Sequence, residues 1–251
     1  MARWKLTIEY DGGGFVGWQR QINGLAVQQV VEEAIEKFCG EAAQVFVAGR
    51  TDAGVHALAQ VVHVDIAKDA SADKIQGAVN FHLGEHRVSI LRVEAVDADF
   101  HARFSAVQRA YLYRILDRRP PPALDRGHVW WVSHPLDVDA MHAAAQLLPG
   151  KRDFSTFRAA NCQADSPVKT LDELTAMRVG AEIHVRARAR SFLYHQVRNM
   201  VGSLKLVGEG KWSLDDFAAA RDAADRTKGG PTAPPDGLYL TEVVYPGGRA
   251  A

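Results

Sequence analysis

Val107-Gln108-Arg109-Ala110-Tyr111-Leu112-Tyr113-Arg114-Ile115-Leu116-Asp117 decides the fold, because it restarts a pattern that the preceding residues complete once. Its β-formers read as a strand. Before it, residues 5–10 alternate as a strand, and Val27, Val30, Val31, Ala34, Ile35 and Phe38 recur at helical spacing, predicting a helix over 27–39. Strands follow near 44–48 and 60–66, then a helix over 71–80 with Ser71 as N-cap, then a strand over 88–96. After it come a helix over 138–148 ended by Pro149-Gly150, and strands over 171–179 and 182–190 joined across Gly180-Ala181. Leu193, Val197, Met200, Val201, Leu204 and Val207 mark a long helix, 214–224 an added one, and 238–245 a closing strand.

Each run reads strand, helix, strand, strand, helix, strand, the split βαβ or ferredoxin-like unit. No sequence repeat is visible, so the duplication rests on element order. Two such units predict an α+β protein with halves at 1–105 and 106–251. Their antiparallel sheets are expected to join into one, with helices on one side and a cleft between the halves. The Pro-rich stretches 119–122 and 229–235 read as loops. Sheets of this kind are common RNA platforms, although fold alone does not fix function.

The 251 residues are 47 % apolar and 24 % charged, an ordinary globular composition. No apolar run approaches the length of a bilayer span, and the N-terminus enters a strand without a hydrophobic signal region. Cys39 and Cys162 are the only cysteines and form no CxxC pair, which argues against a disulfide framework or zinc ribbon and for a reduced, cytoplasmic protein. Lys plus Arg and Asp plus Glu number 30 each. Bulk charge therefore does not hold this protein to nucleic acid, and any such function needs local clustering.

Gly49-Arg50-Thr51-Asp52-Ala53-Gly54-Val55-His56-Ala57 lies between two apolar runs that read as strands, so Asp52 sits on a Gly-edged polar loop. Such a loop holds a reactive group without spending core volume; a turn or helix cap would use the same residue types. In 182–190, Ile183, Val185, Ala187 and Ala189 alternate with His184, Arg186, Arg188 and Arg190. The three arginines make a positive stripe roughly 13 Å long at about 3.3 Å per residue, either a solvated face or a phosphate contact. Arg198 falls on the shoulder of a helical apolar stripe, where it either snorkels to solvent or pairs with a carboxylate. Tyr111 and Tyr113 share a strand face, as packing residues or as a surface for stacking a base. Asp11-Gly12-Gly13-Gly14-Phe15 lacks the spacing of a phosphate-binding loop. His82 and His86 stand four apart, but Gly84 interrupts the helix that would align them, and no metal site is expected. No nucleophile-elbow or Cys/His signature is present.

Together these residues resemble the tRNA pseudouridine synthase A family. The resemblance runs nearly end to end, through Glu9-Tyr10-Asp11-Gly12, Phe15-Val16-Gly17-Trp18-Gln19, Val27-Gln28, the 49–57 stretch and Phe100-His101-Ala102-Arg103-Phe104-Ser105-Ala106. It continues through Asp153-Phe154-Ser155-Thr156-Phe157-Arg158, Val197-Arg198-Asn199-Met200-Val201-Gly202 and Thr232-Ala233-Pro234. The ordered set is highly specific. It implies two ferredoxin-like halves and a homodimer in which one tRNA touches both subunits. It implies uridine-to-pseudouridine conversion at tRNA positions 38, 39 and 40, on the 3′ side of the anticodon arm. Asp52 then matches the catalytic aspartate, Arg50 the residue that helps displace the target base, Tyr111 the aromatic that stacks on it, and Arg198 the partner of the catalytic carboxylate. Arg103, Arg186, Arg188 and Arg190 are the candidate RNA contacts. Two positions depart from the family: Gly84 replaces a proline and Gln196 a methionine, which bears on local loop geometry rather than on the chemical groups.

Pseudouridine formation breaks the N1–C1′ bond and rejoins the base through C5, with no redox change, so no cofactor is expected. Asp52 could add to C6 of the base, add to C1′ of the ribose, or remove a proton. Two other readings remain: a tRNA-binding protein that does not need Asp52, and a metal-free hydrolase in which His56 is the local acid.

Overall fold

The computed structural model describes residues 1–247. In chain order the elements are β1 (Ala2–Tyr10), α1 (Val27–Cys39), β2 (Phe46–Val47), β3 (His56–Ile66), α2 (Ala72–Leu83), β4 (Val88–Val96) and β5 (Gln108–Asp117). There follow β6 (Trp130–Val132), α3 (Val138–Ala145), β7 (Gly150–Asp153), β8 (Val168–Val179), β9 (Glu182–Ala189), α4 (Gln196–Gly208), α5 (Leu214–Asp222) and β10 (Leu238–Val244). The protein is α+β, as its pattern predicts, and forms two compact units. One comprises Met1–Val107 and the described residues from Tyr239 onward; the other is Gln108–Leu238.

In the first unit β1 lies antiparallel between β3 and β4, and β2 pairs with β3, giving the order β4-β1-β3-β2 of a ferredoxin-like unit. Register puts Leu6 opposite Val62 and Ile8 opposite Gln60, and all four are fully buried. The apolar stripes of α1 and α2 are buried too, and the helices pack on one another. α1 stops at Gly40, whose φ of 78° is the left-handed cap that glycine adopts without a Cβ penalty. Ser71 caps α2, its side chain accepting the Lys74 N–H at 3.4 Å. α2 ends at Gly84, which leaves His86 beyond the helix that carries His82.

One boundary differs from the expected division at 105/106. The closing strand β10 belongs with the first unit, because it runs parallel to the start of β3, with Tyr239 opposite His56 and Leu240 opposite Ala57. β3 begins at His56, four residues before the predicted strand, and so offers that edge. In the second unit β9 pairs antiparallel with β5 and β8, β7 adds to β8, and β6 runs parallel to β5. The Trp130-Trp131 pair lies on β6, a strand too short to carry a periodic signal. α3 ends at Ala145, short of the predicted 148. Among the described residues no helix is long and apolar enough to cross a membrane.

Candidate active site

The Asp52 loop occupies residues 48–55, between β2 and β3. Its backbone is tied on both sides of Arg50. Gln60 on β3 is fully buried, and its Nε2 donates to Gly49 O at 2.8 Å and to the Tyr10 hydroxyl at 3.3 Å. Tyr10, the last residue of β1, is 4 % exposed, and its hydroxyl lies 2.7 Å from Thr51 Oγ1. Gln60 Oε1 accepts the Val61 N–H at 3.2 Å, which fixes the orientation of the amide. Burial pushes the Tyr10 hydroxyl up to about 12, although its bonds to Thr51 and Gln60 act in the opposite direction. It therefore keeps its proton at any working pH, and the Tyr10 and Thr51 hydroxyls share a hydrogen bond in which either can donate.

The segment from Asp11 to Trp18 forms the floor of this loop. Trp18 N–H donates to Thr51 O at 3.0 Å, and the Trp18 ring packs 5.9 Å from that of Tyr10. Gly17 has a φ of 106°, and a Cβ there would stand 2.9 Å from Thr51 O. At Gly12 a Cβ would fall 2.1 Å from Val55 O. Only glycine permits two backbones to meet this closely. The glycine run that lacks the spacing of a phosphate-binding loop thus contributes a packing glycine at Gly12, while a Cβ at Gly14 would meet nothing within 4 Å. His56 Nδ1 accepts the Gly12 N–H at 3.0 Å, and the ring stacks on Tyr239 at 4.7 Å. Asp11 Oδ1 lies 3.0 Å from the same nitrogen, and Arg87 Nη1 donates to Asp11 Oδ2 at 2.7 Å. His56 is 1 % exposed, which makes it a structural support of the loop and a poor candidate for a hydrolytic acid.

Asp52 itself is half-buried, and its carbonyl accepts the Val55 N–H at 3.1 Å. Arg50 is exposed and has no side-chain partner among the described residues. Also in the first unit, exposed Arg103 stands 5.6 Å from the centre of the Phe104 ring.

The remaining predicted residues lie in the second unit. Tyr111 is half-buried and meets Phe192 edge-on at 5.2 Å. Tyr113 is fully buried, and its hydroxyl donates to Pro234 O at 2.7 Å; burial raises its pKa well above the ordinary value. Tyr113 is therefore a packing residue. Arg198 Nε donates to Ala233 O at 2.8 Å, and Ala233 N–H donates to Arg198 O at 3.1 Å. This double tie docks α4 against the 229–235 loop, where a Cβ at Gly202 would stand 1.7 Å from Pro231 O. Asn199 joins in, its Oδ1 accepting the Thr232 hydroxyl at 2.7 Å. Arg186 and Arg188 stand opposite Leu112 and Ala110, whereas Tyr111 stands opposite Ala187. The arginine stripe and Tyr111 therefore occupy opposite faces of this sheet. Arg186 and Arg190 are exposed with no side-chain partner among the described residues, and Arg188 lies 3.6 Å from Glu173.

Sequence reasoning did not single out Tyr10, Gly17 or Gln60 as supports of the Asp52 loop. Gln60 carried a signal, a lone amide at the head of an apolar strand.

The family model described as tRNA pseudouridine synthase matches residues 6–105 and 144–246. Among curated relatives, the tRNA pseudouridine synthase A of Rhodospirillum centenum is 64 % identical over 98 % of this chain and 100 % of its own length. That of Paramagnetospirillum magneticum is 60 % identical over 98 % of this chain and 96 % of its own. That of Rhodospirillum rubrum is 57 % identical over 100 % of this chain and 90 % of its own.

Proposed function

This chain belongs to the tRNA pseudouridine synthase family, and from that premise we propose that it acts on the anticodon arm of tRNA, at positions 38, 39 and 40, with Asp52 as its essential carboxylate. It is an isomerase that converts uridine in tRNA to pseudouridine. The observation that carries the assignment of Asp52 is its loop: a half-buried carboxylate two residues from an unpartnered arginine, on a backbone tied to two strands. A site that must hold a flipped base needs such fixed geometry.

In this reading the target uridine leaves the stack, at a cost of a few kcal/mol. Arg50 takes up the vacated space and Tyr111 stacks on the extruded base. Arg198 keeps Asp52 ionised and oriented, as a bidentate partner does. Asp52 then adds to C6 of the base, or displaces N1 at C1′ of the ribose, or removes a proton; in each case the N1–C1′ bond breaks, C5 bonds to C1′, any bond to Asp52 is released, and the C5 proton is lost to solvent. Arg103, Arg186, Arg188 and Arg190 contact phosphates. The net charge of zero gives one subunit few surplus cations for a polyanion, which supports a homodimer whose two subunits share one tRNA. The enzyme works in the cytoplasm, where its substrate is made and used.

The test is tritium release from tRNA labelled at C5 of uridine, followed by mapping of pseudouridine along the anticodon arm. The expected result is release by the wild-type protein, with pseudouridine confined to positions 38–40. Release with pseudouridine elsewhere overturns the positional assignment. Full turnover by Asp52→Asn overturns the role of the aspartate.

A further inference from the structure

We infer that Tyr10, Thr51 and Gln60 are positioning residues for the reaction: their buried hydrogen-bond chain sets the direction in which Arg50 and Asp52 leave the backbone. The inference rests on the reading of Asp52 as the reactive carboxylate.

The chain begins at Gly49 O, passes through Gln60 Nε2 and the Tyr10 hydroxyl, and ends at Thr51 Oγ1, with links of 2.8, 3.3 and 2.7 Å. It therefore grips the residue before Arg50 and the residue after it. Its anchors belong to two strands, Tyr10 at the end of β1 and Gln60 within β3, which pair along most of their length. All three side chains are buried, at 4, 8 and 0 % exposure for Tyr10, Thr51 and Gln60. Hydrogen bonds in such surroundings are stronger than in water, and a member that loses its partner is left unsatisfied.

Arg50 needs this grip. Its guanidinium has no ion pair or hydrogen bond among the described residues. Nothing at its far end orients it, so its course is set by the peptide units on either side. Asp52 follows Thr51 directly and shares that constraint. The floor contact from Trp18 N–H to Thr51 O holds the loop down, but as a single bond it does not fix rotation about itself. The side-chain chain supplies the second point of attachment. The requirement at position 51 is then a hydroxyl, and at position 10 a phenol rather than a bare ring.

The experiment compares Thr51→Val, which keeps the shape and loses the hydroxyl, with Thr51→Ser, which keeps the hydroxyl. Tyr10→Phe and the double variant Tyr10→Phe/Thr51→Val complete a cycle. Steady-state tritium release from C5-labelled tRNA is measured with thermal midpoints for each protein, at a temperature where all are folded by near-UV circular dichroism. Misplacement by about 1 Å costs about a hundredfold in rate. Thr51→Val and Tyr10→Phe should each lower kcat about ten- to a hundredfold, with KM for tRNA within about twofold. Thr51→Ser should recover most of kcat. The double variant should lose little beyond Tyr10→Phe, because Thr51→Val removes only the Tyr10–Thr51 bond and Tyr10→Phe removes that bond together with the link to Gln60. Equal kcat for Thr51→Val and wild type overturns the inference, as does equal loss in Thr51→Val and Thr51→Ser, or multiplicative losses that follow the thermal midpoints. A wild-type protein that releases no tritium would instead sink the functional reading itself.

Discussion

The Asp52 loop and strand β9 both present charge, in contrasting ways. The loop is braced from beneath and behind: glycine backbones pack under it, and a buried Tyr–Gln–Thr chain ties it on both sides of Arg50. β9 holds Arg186 and Arg188 on a regular ladder with the guanidinium groups out in solvent, and Arg190 follows at its end. On the loop, structure is invested in orientation; on β9 it is invested only in spacing. Rates should therefore depend on the loop, and tRNA affinity and its salt dependence on the strand.

The largest effect that would break this contrast is at Asp52. Asp52→Asn and Asp52→Ala should reduce tritium release below detection while leaving tRNA affinity, read by filter binding, within a few fold. An affinity loss as large as the rate loss would make the loop a binding element like β9.

Next in size is the floor. Gly12→Ala places a Cβ 2.1 Å from Val55 O and 2.5 Å from Val55 C, both backbone atoms that cannot swing aside. Overpacking of this kind costs about 1–3 kcal/mol or more. The thermal midpoint and kcat should fall together. Gly13→Ala is the control: its Cβ would meet only the Asp11 carboxylate, at 3.1 Å, and should be nearly neutral. Equal midpoints for the two variants would mean that the floor yields, and that the loop is less braced than its contacts suggest.

Much of this was legible in the sequence, and the limits are physical. Element order and most boundaries follow from periodicity: α1 and β4 fall on the predicted residues. The short strands β2, β6 and β7 have two to four residues, fewer than alternation needs to declare itself. β10 joins the first unit by pairing with β3, a long-range choice that local pattern does not encode. At the site, the Gly-edged carboxylate was readable from chemistry and spacing. Its supports were not: Tyr10 reads as the end of one strand and Gln60 as the head of another, and only the fold joins them. The opposite facing of Tyr111 and the arginines follows from the β5–β9 register, which hairpin length alone did not set.

Acid should separate the two regions further. His63 lies on β3, three residues from Gln60, with its Nδ1 accepting the Ala102 N–H at 3.1 Å. Burial, then the proximity of His101 and Arg3, lowers its pKa from 6.5 to about 4. The unfolded chain takes up this proton more readily, so the contribution to stability is complete above pH 6.5 and is lost as pH falls towards 4. His101 is lowered too, chiefly by burial, and acts with the same sign. Urea unfolding at pH 7 and pH 4.5 should differ by roughly 1–2 kcal/mol on this account. His63→Asn, which keeps an acceptor but does not titrate, should narrow the gap. The arginines stay charged throughout this range. An unchanged gap in His63→Asn would place the acid sensitivity elsewhere.

The smallest effects are expected on β9, and they are graded. Arg186 and Arg190 are unpartnered among the described residues, so each is ready to meet a phosphate. Arg188 lies 3.6 Å from Glu173 and would exchange that loose pairing for a new one. Each lost contact should flatten the log–log salt dependence of tRNA binding by about 0.7 to 0.9. Arg186→Ala and Arg190→Ala should show the fuller loss of affinity and Arg188→Ala the lesser, while Glu173→Gln should tighten binding slightly. Because the stripe and Tyr111 occupy opposite faces of the sheet, none of these changes should disturb the stacking on Tyr111 that we propose, and kcat at saturating tRNA should stay at the wild-type value. Binding measured from 50 to 200 mM salt, with kcat on the same samples, decides the matter. Equal slopes for wild type and the triple variant would assign the stripe to solvated surface, and a fall in kcat without a change in slope would give β9 the role reserved here for the loop.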